Sequence, residues 1–237
     1  MCFSASASFI AGTVLVGVGF ATLRRAPRRS DLPFAAIPVL FGIQQLIEGL
    51  IWLSFRDGST LSNPSLTMAY SLFSHVLWPW YVPFAVRGLE TVAWRRQALL
   101  ATQVAGLAVG GYLLINLLRF PITSRVLGAH IVYETPHFYF GAVMGLYLVA
   151  TCLSSLLASD RLVRVFGALT LLAFLAAYAI HAATLVSVWC FFAALLSVLV
   201  YRYFSSSRAA SAPVGTLPGE AVATASPRSA DDRTHAP

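Results

Sequence analysis

Residues 165–201, VFGALTLLAFLAAYAIHAATLVSVWCFFAALLSVLVY, are 37 consecutive residues without a single Asp, Glu, Lys or Arg. One continuous helix of that length would be about 55 Å long, whereas the apolar core of a bilayer is about 30 Å thick. The stretch therefore predicts two membrane-spanning helices that fold back on each other. Polarity rises around His181, Thr184 and Ser187, which places the predicted break there.

The composition of the whole chain indicates an integral membrane protein. It is 58% hydrophobic and 11% charged, with a mean hydropathy of +0.75, whereas soluble domains carry about a quarter charged residues. The net charge of +7 comes from arginines at the ends of apolar stretches, where membrane topology explains them. The predicted partner is the lipid bilayer, and nucleic acid is excluded.

Seven apolar stretches are long enough to cross a membrane, which takes about 17 to 25 mostly apolar residues. They predict an all-α fold, a seven-helix transmembrane bundle within residues 1–204. Residues 205–237 are rich in Ala, Ser and Pro and predict a disordered cytoplasmic tail. The predicted spans are 5–23, 33–55, 66–86, 97–118, 138–158, 163–183 and 186–204.

The arginines also predict the orientation of the bundle. Cytoplasmic loops of membrane proteins carry an excess of Lys and Arg. With the N-terminus outside and the C-terminus cytoplasmic, the inner loops hold eleven arginines and the outer loops three. All basic residues are arginine, which is typical of a GC-rich bacterial genome. The predicted location is the bacterial cytoplasmic (inner) membrane, with several crossings.

The second predicted span contains FGIQQLIEGLIW, residues 41–52, which carries an acidic residue. At 100° per residue, Gln44, Gln45, Glu48 and Trp52 fall within about a 100° arc. We predict that this stripe faces the bundle interior, because an ionisable group inside a membrane is expensive and functional by default. The alternative interpretation is that Glu48 is a neutral residue that hydrogen-bonds neighbouring helices together.

Other reactive residues lie at the same predicted depth, toward the outer face. Histidine, thiolate and carboxylate are ligands that suit zinc, copper or iron. The candidate ligands are Glu48, His130, His137, Cys190 and Cys2, and the supporting residues are Gln44, Gln45, Trp52, Tyr133, His75, His181 and Trp189. None of the spacings is a known metal signature. A disulfide between Cys2 and Cys190 competes with metal binding, because the outer face is oxidising.

Five blocks of the sequence resemble a bacterial family of small polytopic membrane proteins that is known as a domain of unknown function. They are MCFSASASF, FGIQQLIEGLIW, VLWPWYVPFAV, HIVYETPH and VSVWCFFAALLS, in this order along residues 1–204. His75 and His181 stand where the family pattern has other polar or aromatic residues. The resemblance implies no activity. The positions that match the family pattern are Cys2, Gln44, Gln45, Glu48, Trp52, Pro79, Pro83, His130, Tyr133, His137, Trp189 and Cys190.

Three functions remain open from the sequence. The first is a metal-binding or redox-active membrane protein with an outward-facing Glu/His/Cys site. The second is a membrane-embedded enzyme that acts on a lipid or isoprenoid, with Glu48 as the general acid and Trp52, Trp78, Trp80 and Trp189 lining its pocket. The third is a structural or sensory bundle without chemistry. The ligand is accordingly a transition metal, a small ligand or a lipid.

Overall fold

The computed structural model describes residues 4–56, 63–120, 122–128, 130–134, 140–180 and 185–210. The helices are α1 (Ala5–Leu23), α2 (Leu32–Ala35), α3 (Ile37–Arg56), α4 (Asn63–Ser71), α5 (Trp78–Leu89), α6 (Ala93–Arg119), α7 (Phe140–Leu148), α8 (Ser154–Leu156), α9 (Arg161–Ile180), α10 (Leu185–Leu196) and α11 (Val198–Ala210). The strands β1 (Thr123–Leu127) and β2 (His130–Glu134) form an antiparallel hairpin. The all-α prediction is confirmed, with this hairpin as an unpredicted addition.

Spans 5–23 and 97–118 lie within α1 and α6. Span 138–158 extends past the end of α8 at Leu156, and residues 138–139 and 181–183 of the predicted spans lie outside the described residues. Helices α4 and α5 are joined through a π-helical turn, Leu72–Leu77, and α7 and α8 through another, Val149–Leu153. Among the described residues, four helical segments are long and apolar enough to cross a membrane: Ala5–Leu23, Arg29–Arg56, Ala93–Arg119 and Arg161–Ala179. The count of seven spans stays a prediction.

The charge-free stretch folds back on itself. Helix α9 ends at Ile180 and α10 begins at Leu185. Of the predicted break, His181 and Thr184 lie outside the described part of the chain, and Ser187 lies within α10. The indole N–H of Trp189 on α10 donates to the carbonyl of Thr170 on α9 over 3.0 Å. Helix α11 continues to Ala210, past the predicted end of the bundle at residue 204.

Helix α3 is the central helix of the bundle. In the segment Arg29–Arg56, 61% of the most apolar stretch is buried, against 28% for Ala5–Leu23 and 33% for Ala93–Arg119. Gly12 and Gly19 let α1 approach α3 closely: a Cβ on Gly19 would lie 2.6 Å from the backbone nitrogen of Val39. Helix α1 also packs against α11, which closes the bundle between its first and last helices.

The outward faces of the peripheral helices are strongly apolar. Ile10 on α1, Leu118 on α6 and Leu172 on α9 are 67%, 72% and 59% exposed. Exposed apolar surface on this scale is unfavourable in water and is what a lipid-facing surface requires. The helices are therefore compatible with a protein that lies in a bilayer.

Helices α5 and α6 are held together by a backbone contact. Pro83 has no amide hydrogen, so it leaves the carbonyl of Pro79 without its helical donor. Gly106 of α6 lies directly against this carbonyl, because a Cβ built on Gly106 would come within 1.8 Å of the Pro79 oxygen.

Candidate functional site

The polar stripe of α3 lies in the most buried part of the bundle. Gln44, Gln45 and Glu48 are each 0% exposed, and Trp52 is partly buried. The structure thus places the stripe inside the protein rather than against lipid. Its helical spacing places Glu48 one turn after Gln44 and Gln45 on one face.

Glu48 accepts hydrogen bonds from the neutral groups of Gln45 and Tyr133. Gln45 Nε2 lies 3.4 Å from Glu48 Oε2 on the same helix. The hydroxyl of Tyr133 lies 3.5 Å from Glu48 Oε1 and reaches it from strand β2. Both contacts are at the long end of the hydrogen-bonding range, so each contributes modestly to stability.

Gln44 links α3 to α5. Its Oε1 accepts a 2.7 Å hydrogen bond from the indole Nε1 of Trp78, which fixes the orientation of the amide. The amide nitrogen of Gln44 then points elsewhere and is shielded from solvent, with no hydrogen-bond partner among the described residues. The indole Nε1 of Trp52 is in the same situation. Two N–H donors therefore flank Glu48 on its stripe, one turn away on either side.

The hairpin brings Tyr133 to the site. The ring of Tyr133 stacks on that of Tyr70 from α4, with ring centroids 4.4 Å apart and an interplanar angle of 6°. Ile131 and Tyr133 pack with Ile51 and Tyr70 in a small apolar cluster. The hairpin therefore covers the part of α3 that carries Glu48.

A polar network anchors the hairpin to α3 and α4. Ser124 on β1 donates to Asn63 Oδ1 over 3.0 Å and lies 2.8 Å from the hydroxyl of Thr67. Asn63 Nδ2 in turn donates to Ser54 on α3 over 2.8 Å. These residues were not identified from the sequence, because the strands that bring them together were not predicted.

His130 begins strand β2, where it pairs with Leu127 across the hairpin. Successive side chains of a strand point to opposite faces, which places His130 and Val132 on the face opposite Ile131 and Tyr133. His130 is partly buried, and β2 also packs against α10, the helix that carries Cys190.

The remaining candidate ligands are only partly described. Cys2, His137 and His181 lie outside the described residues, as does the side chain of Cys190. Among the described residues, no group of three His, Cys, Asp or Glu side chains could hold a metal ion. The metal-ligand set therefore stays a prediction.

His75 lies in the first π-helical turn, where its Nδ1 is 2.8 Å from the hydroxyl of Ser74. The hydroxyl of Tyr147 on α7 donates to the carbonyl of Ser74. The structure thus ties the His75 turn to α7.

A small aromatic cavity lies beside the polar stripe. It has a volume of ≈ 30 Å³, and Phe41, Trp78, Tyr147 and Trp189 contribute to its walls. Of the four tryptophans predicted to line a pocket, the structure brings Trp78 and Trp189 together here. Trp52 instead packs against the hairpin cluster, and Trp80 contacts Tyr81 and Phe84.

Comparison with known proteins identifies the family. Residues 1–214 match a family described as "Family of unknown function (DUF6629)". The chain belongs to this family. The match includes both Glu48 and the hairpin that covers it. No curated protein and no solved structure matches the chain. Membership of the family therefore supplies no activity, and the chemistry has to be argued from the site.

Proposed function

We propose that this member of the family is a seven-span protein of the bacterial cytoplasmic membrane, with its N-terminus outside, and that Glu48 binds a transition-metal cation. The carrying observation is that Glu48 is 0% exposed on a stripe where two shielded N–H donors lie one turn to either side. Buried polar groups are normally satisfied by protein, water or a ligand, and each exception calls for an explanation. A ligand that brings oxygen atoms, such as a hydrated cation, would accept hydrogen bonds from these two N–H groups and so explain why they have no protein partner.

The carboxylate favours a cation as the ligand. Removing a charged carboxylate from water is unfavourable unless a proton or a cation compensates it. The hydrogen bonds that Gln45 and Tyr133 donate to Glu48 come from neutral groups. A metal ion provides the charge and uses the carboxylate as a ligand.

The candidate histidine and cysteine ligands favour a transition metal. His130 lies at the start of β2, on the face opposite Tyr133, and His137 follows Glu134 by three residues. Cys190 is on α10, which packs against β2, and Cys2 precedes α1, which also contacts α10. Imidazole, thiolate and carboxylate together suit zinc, copper or iron.

The size of the neighbouring aromatic cavity argues against a lipid substrate there. A cavity of ≈ 30 Å³ holds one or two water molecules and is far smaller than the pockets of roughly 300 Å³ or more that hold larger ligands. Within the described part of the chain, the aromatic cavity therefore has no room for an acyl or isoprenoid chain.

Elemental analysis and an optical spectrum of protein purified without chelators test the proposal. We expect about one zinc, copper or iron ion per chain in the wild type and none in Glu48→Gln, which keeps the shape and hydrogen-bonding capacity of the side chain. Glu134→Gln is the matched control, because the Glu134 side chain is 49% exposed at the end of β2 and pairs with Arg125. Wild-type protein that stays metal-free after incubation with each of the three ions would refute metal binding. A metal content unchanged in Glu48→Gln would remove Glu48 from the site.

A further inference from the structure

A second pocket lies far along the chain from Glu48, where α5 gives way to α6. It has a volume of ≈ 330 Å³ and is lined by Arg87, Thr91, Ala93, Arg96, Gln97 and Leu100. Two guanidinium groups thus face one pocket. Arg87 belongs to the last turn of α5, and Arg96 to the first turn of α6.

The positive charge of this pocket is not neutralised by the described residues. Arg87 Nη1 donates to Gln103 Oε1 over 3.3 Å, and its Nε has no hydrogen-bond partner among the described residues. The nearest carboxylate in sequence, Glu90, is engaged elsewhere: it accepts from the backbone of Thr91 and Val92 and from Ser159. In the described part of the chain, neither guanidinium is paired with a carboxylate. The pocket is therefore suited to an anion.

The pocket opens onto an exposed apolar face of α6. Leu100, Val104 and Leu107 are 43%, 57% and 53% exposed. Steps of four and three residues keep them on one side of the helix. Next to the pocket, the ring of Trp94 is 58% exposed, with the guanidinium of Arg95 4.8 Å from its centroid. Tryptophan at such a position is typical of the boundary between a membrane and water.

We infer that this pocket binds the phosphate group of an anionic phospholipid, whose acyl chains lie along the Leu100–Val104–Leu107 face of α6. Arginine binds phosphate through parallel hydrogen bonds in addition to charge, and basic pockets between membrane helices suit anionic headgroups. A phospholipid fits better than a soluble phosphate compound, because the pocket continues into the apolar face. The inference does not depend on Glu48. In the proposed orientation, this lipid belongs to the cytoplasmic leaflet, and only that assignment rests on the orientation.

Native mass spectrometry of the full chain in detergent tests this site, with phosphatidylglycerol as the anionic lipid and phosphatidylcholine as the zwitterionic one. Glycerol phosphate serves as a soluble probe of the same chemistry. The pocket is altered by Arg87→Gln combined with Arg96→Gln, and also by Arg96→Gln alone, since Arg96 is exposed. The matched control combines Arg24→Gln with Arg161→Gln, which removes two exposed arginines outside the pocket.

We expect the wild type and the control to prefer phosphatidylglycerol over phosphatidylcholine by at least about ten-fold, as two neutralised contacts of roughly 1 kcal/mol each imply. The double pocket variant should lose this preference, and Arg96→Gln should lose part of it. Equal binding of the two lipids by the wild type, or an unchanged preference in both pocket variants, would overturn the inference. If glycerol phosphate displaces the lipid at equal concentration, the site is one for soluble anions and the lipid assignment is wrong.

Discussion

At the scale of single residues, Glu48 is the feature that most needs an explanation. Its carboxyl group is fully buried, and the hydrogen bonds from Gln45 and Tyr133 are 3.4 and 3.5 Å long. A ligand-binding role and a role in holding helices together predict different effects of Glu48 substitutions on stability.

Glu48→Leu separates these roles. If the glutamate serves a ligand, replacing it with an apolar side chain of similar size should leave the free energy of unfolding within about 1 kcal/mol of the wild type or raise it. The measurement is thermal unfolding of the detergent-solubilised protein without added metal. Glu48→Gln gives the polar reference in the same experiment. A large destabilisation confined to Glu48→Leu would identify the glutamate as a structural hydrogen-bonding residue.

The sequence predicts the interior position of Glu48 but not its partner. Helical periodicity alone places Gln44, Gln45 and Glu48 on one face, and that information is local. Tyr133 reaches Glu48 through the register of a hairpin, Tyr133 pairing with Ser124. The signal for this hairpin is present in RVLGAHIVYE, where two β-prone runs are separated by two residues beginning with glycine. Gly128 has a φ of 61°, which the turn requires and glycine adopts without strain.

At the scale of elements, the contact between Gly106 and the Pro79 carbonyl determines how closely α5 and α6 approach. We expect Gly106→Ala to destabilise the protein by about 1–3 kcal/mol, because the new methyl group meets backbone atoms that cannot rotate away. Gly111→Ala on the same helix is the control, since nothing lies within 4 Å of the added Cβ. The midpoint of thermal unfolding should fall in the first variant and stay unchanged or rise in the second. Equal midpoints in the two variants would show that α5 and α6 can move apart without loss of stability.

Glu90 joins the loop before α6 to the loop before α9. Its carboxylate accepts hydrogen bonds from the backbone of Thr91, Val92 and Ser159 and from the hydroxyl of Ser159. Burial alone would raise the pKa of Glu90, but the bonds from Val92, Ser159 and Thr91 outweigh it and hold the pKa below its ordinary value of 4.5. Nearby, Arg95 donates to the carbonyls of Leu157 and Ala158 over 2.7 and 2.9 Å.

The hydrogen bonds of the Glu90 carboxylate should make the stability of the protein depend on pH. Because the folded pKa is the lower one, the contribution of Glu90 is fully present above the unfolded value of 4.5 and is lost as pH falls through the folded value. We expect Glu90→Gln to be less stable than the wild type by at least about 1 kcal/mol at neutral pH. The difference should shrink below pH 4.5. Unfolding midpoints across this range measure it, with Glu134→Gln as the charge-matched control. A difference that is constant with pH would show that the carboxylate charge does not matter.

The bounds of the helices follow from local sequence, whereas their irregular turns do not. Span 5–23 coincides with α1, because an uninterrupted apolar segment in a membrane satisfies its backbone hydrogen bonds by forming a helix along its whole length. The π-helical turn at Leu72–Leu77 lies just before Pro79. Pro79 has no N–H to donate to the preceding turn, and its ring crowds the carbonyl there. How the chain accommodates that crowding depends on tertiary partners such as Tyr147, which no local pattern specifies.

At the scale of the whole molecule, the arginines predict the orientation of the bundle in the membrane. The predicted inner loops hold eleven arginines and the outer loops three, so we expect the C-terminus in the cytoplasm. A reporter that works only in the cytoplasm should be active when fused after Pro237, and a periplasm-specific reporter at the same place should be inactive. The opposite result would invert the bundle and place Glu48 on the cytoplasmic side. A fusion between residues 57 and 62, which the sequence predicts to lie outside, should give the reverse pattern.

The hairpin has a consequence for how the protein is made. Glu48 and Tyr133 are 85 residues apart in the chain. At a synthesis rate of roughly 5–20 residues per second, α3 leaves the ribosome between about 4 and 17 s before the tyrosine that closes over its carboxylate. Throughout that interval the nascent chain carries an uncovered acid. In the proposed orientation, it is then open to ions of the outer aqueous phase. The hairpin can therefore cover Glu48 only after β2 has been synthesised, so this part of the protein is completed late.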